Sequence, residues 1–259
     1  MNKKYTILAG LLALSFAAVV LAKDEGKSGP FPSEGLSGVV LNAGGGKIVV
    51  EGVAGGAVET SPLEASGVCL VTGKVSGAVL SLTKHKDDTG AISNCRIKIP
   101  AKLSLEVKMG GGSLEVRDMA GAVSIAKTAG EGHLSGLSGA VKIKMTAGSM
   151  SGNIDPSSLE ITGTTGKVSL EGLGCGVSVD RVAGGLNLAW AKGPSSEVKV
   201  KSSGGKVVLS FPADARIRTD LKTKEKGVIH DDFSGGAGTL VSVHLAGGSV
   251  DVLKAAKVK

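Results

Sequence analysis

The chain combines a high glycine content with very few aromatic residues. It has 259 residues, of which 41 are glycine, with only 4 phenylalanines, 1 tryptophan and 1 tyrosine. The absence of a Gly-x-y period and the 7 prolines exclude collagen, and an apolar fraction of 42% excludes a disordered chain. The formal charge of +7 comes without the clustered basic face and stacking aromatics of nucleic-acid binders, so we expect no nucleic-acid partner. The composition favours a narrow core of Val, Ile and Leu without aromatics.

The first segment, residues 1–22, predicts a secretory signal peptide. Lys3 and Lys4 precede an apolar run over residues 6–21, and the small Ala22 supplies a cleavage site. The apolar run is short for a membrane span and is followed at once by charged residues, although an uncleaved membrane anchor is the alternative. We therefore expect a secreted or periplasmic protein, cleaved after Ala22, whose mature chain has no transmembrane segment. Residues 23–35 are polar with two prolines and predict an N-terminal linker or arm.

Residues 36–253 carry a repeat with a period of nine. Apolar pairs separated by one residue recur every nine or eighteen residues, and a glycine recurs every eighteen. The pairs include Leu105/Val107, Leu114/Val116, Val123/Ile125, Val141/Ile143, Leu159/Ile161 and Val168/Leu170, and the glycines are Gly112, Gly130, Gly148, Gly166 and Gly184. Short strands with one apolar face cannot bury that face alone, whereas stacked repeats can. The pattern predicts an all-β fold, a β-solenoid (a single-stranded β-helix) with eighteen-residue coils built from two nine-residue halves. A large antiparallel β-sandwich is the alternative.

Two internal segments, residues 60–100 and 212–239, depart from the repeat. Irregular segments of this kind are expected to cap the ends of a stack and so block edge pairing. The repeat resumes after each of them, and residues 254–259 form a C-terminal tail.

Three cysteines follow the signal segment. Cys69 and Cys95 lie in one irregular region, and an exported protein can be oxidised, so we expect a disulfide between them. Cys175 lies inside the repeat between two glycines and is expected to be a small buried apolar residue. A catalytic thiol is the alternative, and the odd cysteine count also allows intermolecular pairing.

The sequence favours no catalytic residue, no metal site and no cofactor. The turns lack the carboxylates of calcium-binding nonapeptide repeats, and Gly44-Gly45-Gly46-Lys47 lacks the Ser or Thr of a phosphate loop. Histidine and carboxylates cluster only at residues 85–88 and at His230-Asp231-Asp232. Both clusters are interpreted as solvated turns, with a ligand or acid/base site as the alternative.

Lysines that alternate out of the strands are the candidate binding residues. They are Lys142, Lys144, Lys199 and Lys201, and each lies one residue after a core position. In the simplest interpretation, these lysines keep the outer surface solvated and prevent pairing between exposed strand edges. Their functional interpretation is a row of cations that contacts an anionic glycan or cell-surface polymer.

The block Ile99-Pro-Ala-Lys-Leu-Ser-Leu-Glu-Val107, followed by Gly112-Ser-Leu-Glu-Val116, resembles a bacterial family of exported β-strand-repeat proteins, the putative adhesins, a domain of unknown function. The resemblance covers residues 36–253 and implies a β-solenoid without known catalytic residues. The chain has Gly-Ala, Gly-Lys or Gly-Ser at turns where family members often have Gly-Asp. The expected function is therefore a non-enzymatic, exported adhesin or cell-envelope scaffold that binds a surface polymer or protein through its flat faces. The alternatives are an envelope-stress or assembly component with a protein partner, and a solenoid carbohydrate-active enzyme.

Overall fold

A computed structural model describes residues 30–86, 93–163, 165–224 and 227–255. The predicted signal peptide, the linker up to residue 29, Asp87 and Asp88 of the first histidine cluster, and residues 256–259 of the tail lie outside the described residues. The described residues form 22 strands and no helix, which confirms the all-β prediction. No helix among them is long and apolar enough to cross a membrane.

The strands are short, from four to seven residues, as expected when turns interrupt the chain about every nine residues. In chain order they are β1 Gly38–Ala43, β2 Lys47–Val53, β3 Glu59–Pro62, β4 Val71–Ser76, β5 Val79–Lys84, β6 Cys95–Pro100, β7 Ser104–Met109, β8 Ser113–Arg117, β9 Val123–Lys127, β10 Glu131–Ser135, β11 Ala140–Met145, β12 Ser149–Asn153, β13 Ser158–Thr162, β14 Lys167–Leu173, β15 Val177–Val182, β16 Leu186–Trp190, β17 Val198–Ser202, β18 Lys206–Pro212, β19 Ile217–Thr223, β20 Val228–Asp231, β21 Thr239–Leu245 and β22 Ser249–Ala255.

Successive strands of the repeat alternate between two eleven-stranded sheets. The first sheet has the order β19-β21-β17-β15-β13-β11-β9-β7-β1-β5-β4, and the second has the order β20-β22-β18-β16-β14-β12-β10-β8-β2-β6-β3. Pairing is parallel except at β3–β6 and β4–β5. Val123 pairs with Val141, and Val141 pairs with Leu159, so the eighteen-residue period of the sequence is the pairing register of the sheet. Each strand therefore pairs with its equivalent in the next repeat.

The core lies between the two sheets and is a single apolar cluster. Inward-facing residues of equivalent strands stack in columns of Val, Ile and Leu. Where one repeat has a small residue in a column, a larger side chain from the neighbouring repeat fills the space. The side chain of Met150 occupies the space beside Gly132, its register partner.

The expectation of a core without aromatics is wrong. Trp190, Phe211 and Phe233 are all buried, with Trp190 stacked on Phe211 at 4.4 Å between ring centroids and Phe233 edge-on to Phe211 at 6.1 Å. The indole Nε1 of Trp190 donates a hydrogen bond of 2.9 Å to the carbonyl oxygen of Cys175. Three of the four described aromatic side chains thus form one cluster around β16 and β18, whereas the fourth, Phe31, packs beside Gly73 near the other end of the sheets.

A column of stacked glycines marks the turn between the sheets. A Cβ atom on Gly112 would overlap the carbonyl oxygen of Gly46, and the same holds for each later member against the one before it. The column continues through Gly130, Gly148, Gly166, Gly184, Gly205 and Gly248. At Gly112 the φ angle is also +84°, a conformation that side chains other than glycine rarely adopt. The eighteen-residue glycine period therefore reflects close backbone approach between repeats.

The two irregular segments lie at the two ends of the sheets. Strands β3 to β6, from residues 59–100, extend beyond β1 and β2, so that β1 pairs with β7, 66 residues later in the chain. Strands β19 and β20 likewise lie outside β21 and β22, which insert beside β17 and β18. Chain order and spatial order therefore differ at both ends.

Candidate functional site

The outer face of the first sheet presents two parallel rows of outward side chains. The cationic row contains Lys108, Lys144, Lys201 and Lys222, with Ala126, Thr162, Asp180 and His244 between them. The mixed row, two residues earlier on each strand, contains Glu106, Lys142, Glu160, Lys199 and Asp220, with serines at the three other positions. Equal register in a parallel sheet places these side chains in straight lines across the strands.

The two rows differ in charge balance. The mixed row carries three acids against two lysines, whereas the cationic row carries four lysines against one acid. The structure thus divides the four lysines singled out in the sequence: Lys142 and Lys199 belong to the mixed row, and Lys144 and Lys201 belong to the cationic row.

The ion pairs follow the same division. Lys142 lies 2.9 Å from Glu160, and Lys199 lies 2.7 Å from Glu197. Neither Lys144 nor Lys201 forms an ion pair with any residue in the described part of the chain. Lys144 and Lys201 are exposed. Exposed ion pairs contribute little to stability, so the pairs of Lys142 and Lys199 serve mainly to balance local charge. Lys144 and Lys201, in contrast, are available to bind an anion.

Sequence reasoning missed the other two members of the cationic row. Lys108 lies 3.0 Å from Glu106, and Lys222 lies 3.2 Å from Asp220. Lys108 precedes Lys144 by two full repeats, so the same eighteen-residue step could have placed it in the row. Lys222 could not be placed in this way, since β19 lies outside the regular repeat order.

Two further lysines, Lys84 and Lys127, lie at the turn end of the same sheet, at register positions that they share with buried residues. The side chain of Lys127 is only 3% exposed, and its ammonium donates a 2.7 Å hydrogen bond to the carbonyl oxygen of Gly112 and lies 3.9 Å from Met109 Sδ. The ammonium of Lys84 donates a 2.8 Å hydrogen bond to the carbonyl oxygen of Gly45. Desolvation by burial lowers the pKa of both lysines, and the charge of Glu131 opposes this at Lys127.

The histidine–carboxylate cluster at residues 230–232 makes structural contacts. Asp231 accepts hydrogen bonds from the Thr219 hydroxyl and the Phe233 backbone amide. Asp232 accepts a 2.8 Å hydrogen bond from the backbone amide of Lys254 and lies 3.1 Å from His230. That backbone hydrogen bond, followed by the charges of His230 and Lys254, lowers the pKa of Asp232.

The remaining histidines contact hydroxyl groups and one carboxylate. His85 lies 2.8 Å from the Thr72 hydroxyl, and His133 lies 3.4 Å from the Ser151 hydroxyl. His244 lies 3.6 Å from Asp220. Among the described residues no group of three or more His, Cys, Asp or Glu side chains could hold a metal ion.

The cysteines occupy two different environments. Cys69 and Cys95 form a disulfide with a Cα–Cα distance of 5.1 Å, which joins the segment leading into β4 of the first sheet to β6 of the second. Cys175 is buried and free, and its burial raises the pKa of the thiol. A buried thiol of raised pKa is protonated at neutral pH and is a poor nucleophile.

A charged network occupies the outer face of the second sheet. The guanidinium of Arg117 lies 3.0 Å from Glu51 and 3.7 Å from Glu115. The hydrogen bond from Arg117 lowers the pKa of Glu51, and nearby Lys98 and Arg96 act in the same direction. On this part of the face, Arg117 is therefore balanced by the two carboxylates beside it.

Comparison with known proteins gives a structural neighbour but no family. No protein-family model matches the sequence, and no curated protein is significantly similar to it. Among solved structures, the chain is similar to a putative cell adhesion protein from Clostridium sporogenes. The two share 11% sequence identity with a TM-score of 0.28, over 89% of this chain and 100% of the other.

Proposed function

We propose that this chain is a non-enzymatic, exported β-solenoid protein of the adhesin or envelope-scaffold type, which binds an anionic surface polymer through the outer face of its first sheet. The observation that carries the proposal is the cationic row. Its four lysines lie on a parallel sheet whose register fixes their spacing, and two of them, Lys144 and Lys201, have no acidic partner among the described residues.

The spacing of the row suits a repeating anionic ligand. Lys108 and Lys144 are separated by two strand spacings, as are Lys201 and Lys222, which corresponds to roughly 10 Å in each case. A linear polymer laid along the row can meet these cations in turn, and each exposed contact is weak by itself. Binding of this kind gains strength from many contacts and depends strongly on salt.

The solenoid architecture and the export of the chain are parts of the same proposal. The eighteen-residue register, the alternation of strands between two sheets and the glycine column support a solenoid. The predicted signal segment over residues 1–22 supports export, and the disulfide between Cys69 and Cys95 suits an oxidising compartment. The structural contacts of Asp231 and Asp232, described above, support a role other than catalysis.

The test is binding of the purified chain to dextran sulfate, with neutral dextran as the control ligand. Lys144→Gln/Lys201→Gln should weaken binding by about tenfold at low salt, because it removes the two lysines without an acidic partner. The matched control Lys142→Gln/Lys199→Gln removes two lysines already neutralised by Glu160 and Glu197 and should change binding much less. The difference should disappear near 1 M salt, where the screening length falls to about 3 Å. Equal losses in the two variants, or binding indifferent to salt, would contradict the proposal.

A protein partner is the second candidate, and the edge strand β20 favours it. Val228 and Ile229 on this strand are 66% and 42% exposed, and none of the described strands pairs with the outer side of β20. An exposed apolar edge strand is a template for strand addition by another protein. A pull-down from an envelope extract should recover a partner that is lost with Ile229→Lys, and recovery of nothing would count against this candidate.

A further inference from the structure

The turn end of the first sheet contains a groove that is lined by lysines and by no acid from the described part of the chain. It has a volume of about 550 Å³, and its charged lining residues are Lys84, Lys108, Lys127 and Lys144. Thr83, Thr128, Thr146 and Asn42 add hydroxyl and amide groups, and Met109 and Ala126 supply apolar surface. The groove is thus a concentrated positive site on a face whose other row is mixed in charge.

Lys84 and Lys127 converge on this groove from opposite sides. Strand β1 pairs with β7, β5 lies beyond β1, and β9 lies beyond β7. Each lysine reaches one strand inward, to the carbonyl oxygens of Gly45 and Gly112, which belong to neighbouring stacked turns. The two ammonium groups are thereby held at neighbouring turns, and no described acid lines the groove.

Among the described residues, neither ammonium has a partner for each of its three donors. Each donates one hydrogen bond to a backbone carbonyl; Lys127 also lies 3.9 Å from Met109 Sδ, and the charge of Glu131 acts on it. Burying a charge is costly unless it is paired. The lowered pKa of both lysines reflects that cost, and a bound anion would remove it.

We propose that this groove binds a tetrahedral oxyanion, the sulfate or phosphate group of an anionic polymer. Four lysines line it among the described residues, and lysine ammonium groups bind such oxyanions as compact point charges. The proposal deepens the proposed function and rests on it, because Lys108 and Lys144 belong both to the groove and to the cationic row. A polymer laid along the row would place one of its charged groups in the groove.

The test titrates the purified chain with inorganic phosphate and with sulfate at constant ionic strength, followed by amide NMR. The expected result is saturable shifts in the turns at residues 44–46 and 110–112, with affinity at least tenfold weaker in Lys84→Gln/Lys127→Met. Methionine suits this site because Met109 and Met145 flank Lys127 in the register. Lys108→Gln, an exposed change, is the second variant, and it should weaken binding in the same direction without risk to folding. Lys142→Gln/Lys199→Gln is the control and should bind as the parent does. Shifts that never saturate, or equal affinity in all variants, would overturn the proposal.

Polymer binding separates this proposal from the function on which it rests. Retention on dextran sulfate or on polyphosphate identifies which oxyanion source is preferred. If retention persists in Lys84→Gln/Lys127→Met and is lost in Lys144→Gln/Lys201→Gln, the function stands and the groove proposal is wrong. If inorganic oxyanions saturate the groove but neither polymer is retained, the groove stands and polymer binding is wrong.

Discussion

Replacing Gly112 by alanine should destabilise the protein strongly, whereas the same change at the preceding residue should not. Gly112 has a φ angle of +84°, and a Cβ atom there would overlap the backbone of Gly46 in the neighbouring turn. Gly111 lies in the same turn, and a Cβ atom added there would have no other atom within 4 Å. The pair is a matched test because position, composition and solvent environment are nearly the same.

The expected magnitudes follow from two separate costs. The left-handed conformation costs an alanine about 1–2 kcal/mol, and forcing the neighbouring turn aside costs about 1–3 kcal/mol. Gly112→Ala should therefore lower the free energy of unfolding by about 2–5 kcal/mol and Tm by roughly 5–15 °C for a chain of this size. Gly111→Ala should be neutral or stabilising by up to about 1 kcal/mol, because alanine restricts the unfolded chain.

The assay is urea unfolding followed by circular dichroism, with Tm measured in parallel. If the two variants unfold within about 0.5 kcal/mol of each other, the stacked-glycine explanation of the eighteen-residue period is wrong. Gly148→Ala, one step of the column further on, provides a repeat of the test in the interior of the stack, where φ is +93°.

Three further predictions concern the core, the disulfide and the buried lysine. Phe211→Ala should lower the free energy of unfolding by about 3–5 kcal/mol and shift the fluorescence of Trp190, the single tryptophan, to the red. Phe211→Leu should be intermediate, and an unshifted spectrum would contradict the stacked cluster. Reduction, or Cys69→Ala/Cys95→Ala, should lower the free energy of unfolding by about 3.5 kcal/mol, the loop-closure value for a separation of 26 residues. The measurement is urea unfolding with and without reductant, and equal midpoints would contradict the prediction. Burial lowers the pKa of Lys127 in the folded state, so the unfolded state holds its proton to higher pH and stability rises as pH increases towards 10.5. Lys127→Met should flatten that rise in a series of unfolding curves, and an unchanged slope would show that the charge is not disfavoured by folding.

The regular part of the fold was predictable because the period of the sequence is also the pairing register of the strands. A period of eighteen fixes which residues pair, so the partners of Val141 follow from counting, and the three-residue insertion after Trp190 reappears as the 21-residue step from Val177 to Val198. The insertion also places Trp190 and Phe211 in equivalent positions of adjacent repeats, which is why they stack. The composition alone indicated only that aromatics are scarce, and it could not show that they are gathered together.

The spatial order of the strands at the ends of the fold, and half of the candidate site, could not be predicted from the sequence. A period reports which strands are equivalent but not their spatial order, so the pairing of β1 with β7 across 66 residues leaves no local signal. The alternation of lysines with apolar residues showed that Lys142 and Lys144 point outward. Which of them is neutralised depends on Glu160 in the next strand, and therefore on the cross-strand register. Lys127 stands at the end of its strand and turns back to the Gly112 carbonyl, a contact that depends on the neighbouring turn.

The placement of the irregular segments at the two ends has a consequence for the length of the molecule. Because β3–β6 and β19–β22 close the stack with their own strands, the strands between β9 and β16 contact only copies of the same unit. Eighteen residues can therefore be gained or lost there while the glycine column stays in line and both closures stay intact, whereas a change of nine would exchange the two sheets. Each such step would also lengthen the outer face by one strand and change the number of lysine positions along it. The length of the outer face can thus change by whole repeats in the middle of the chain without any change to the ends.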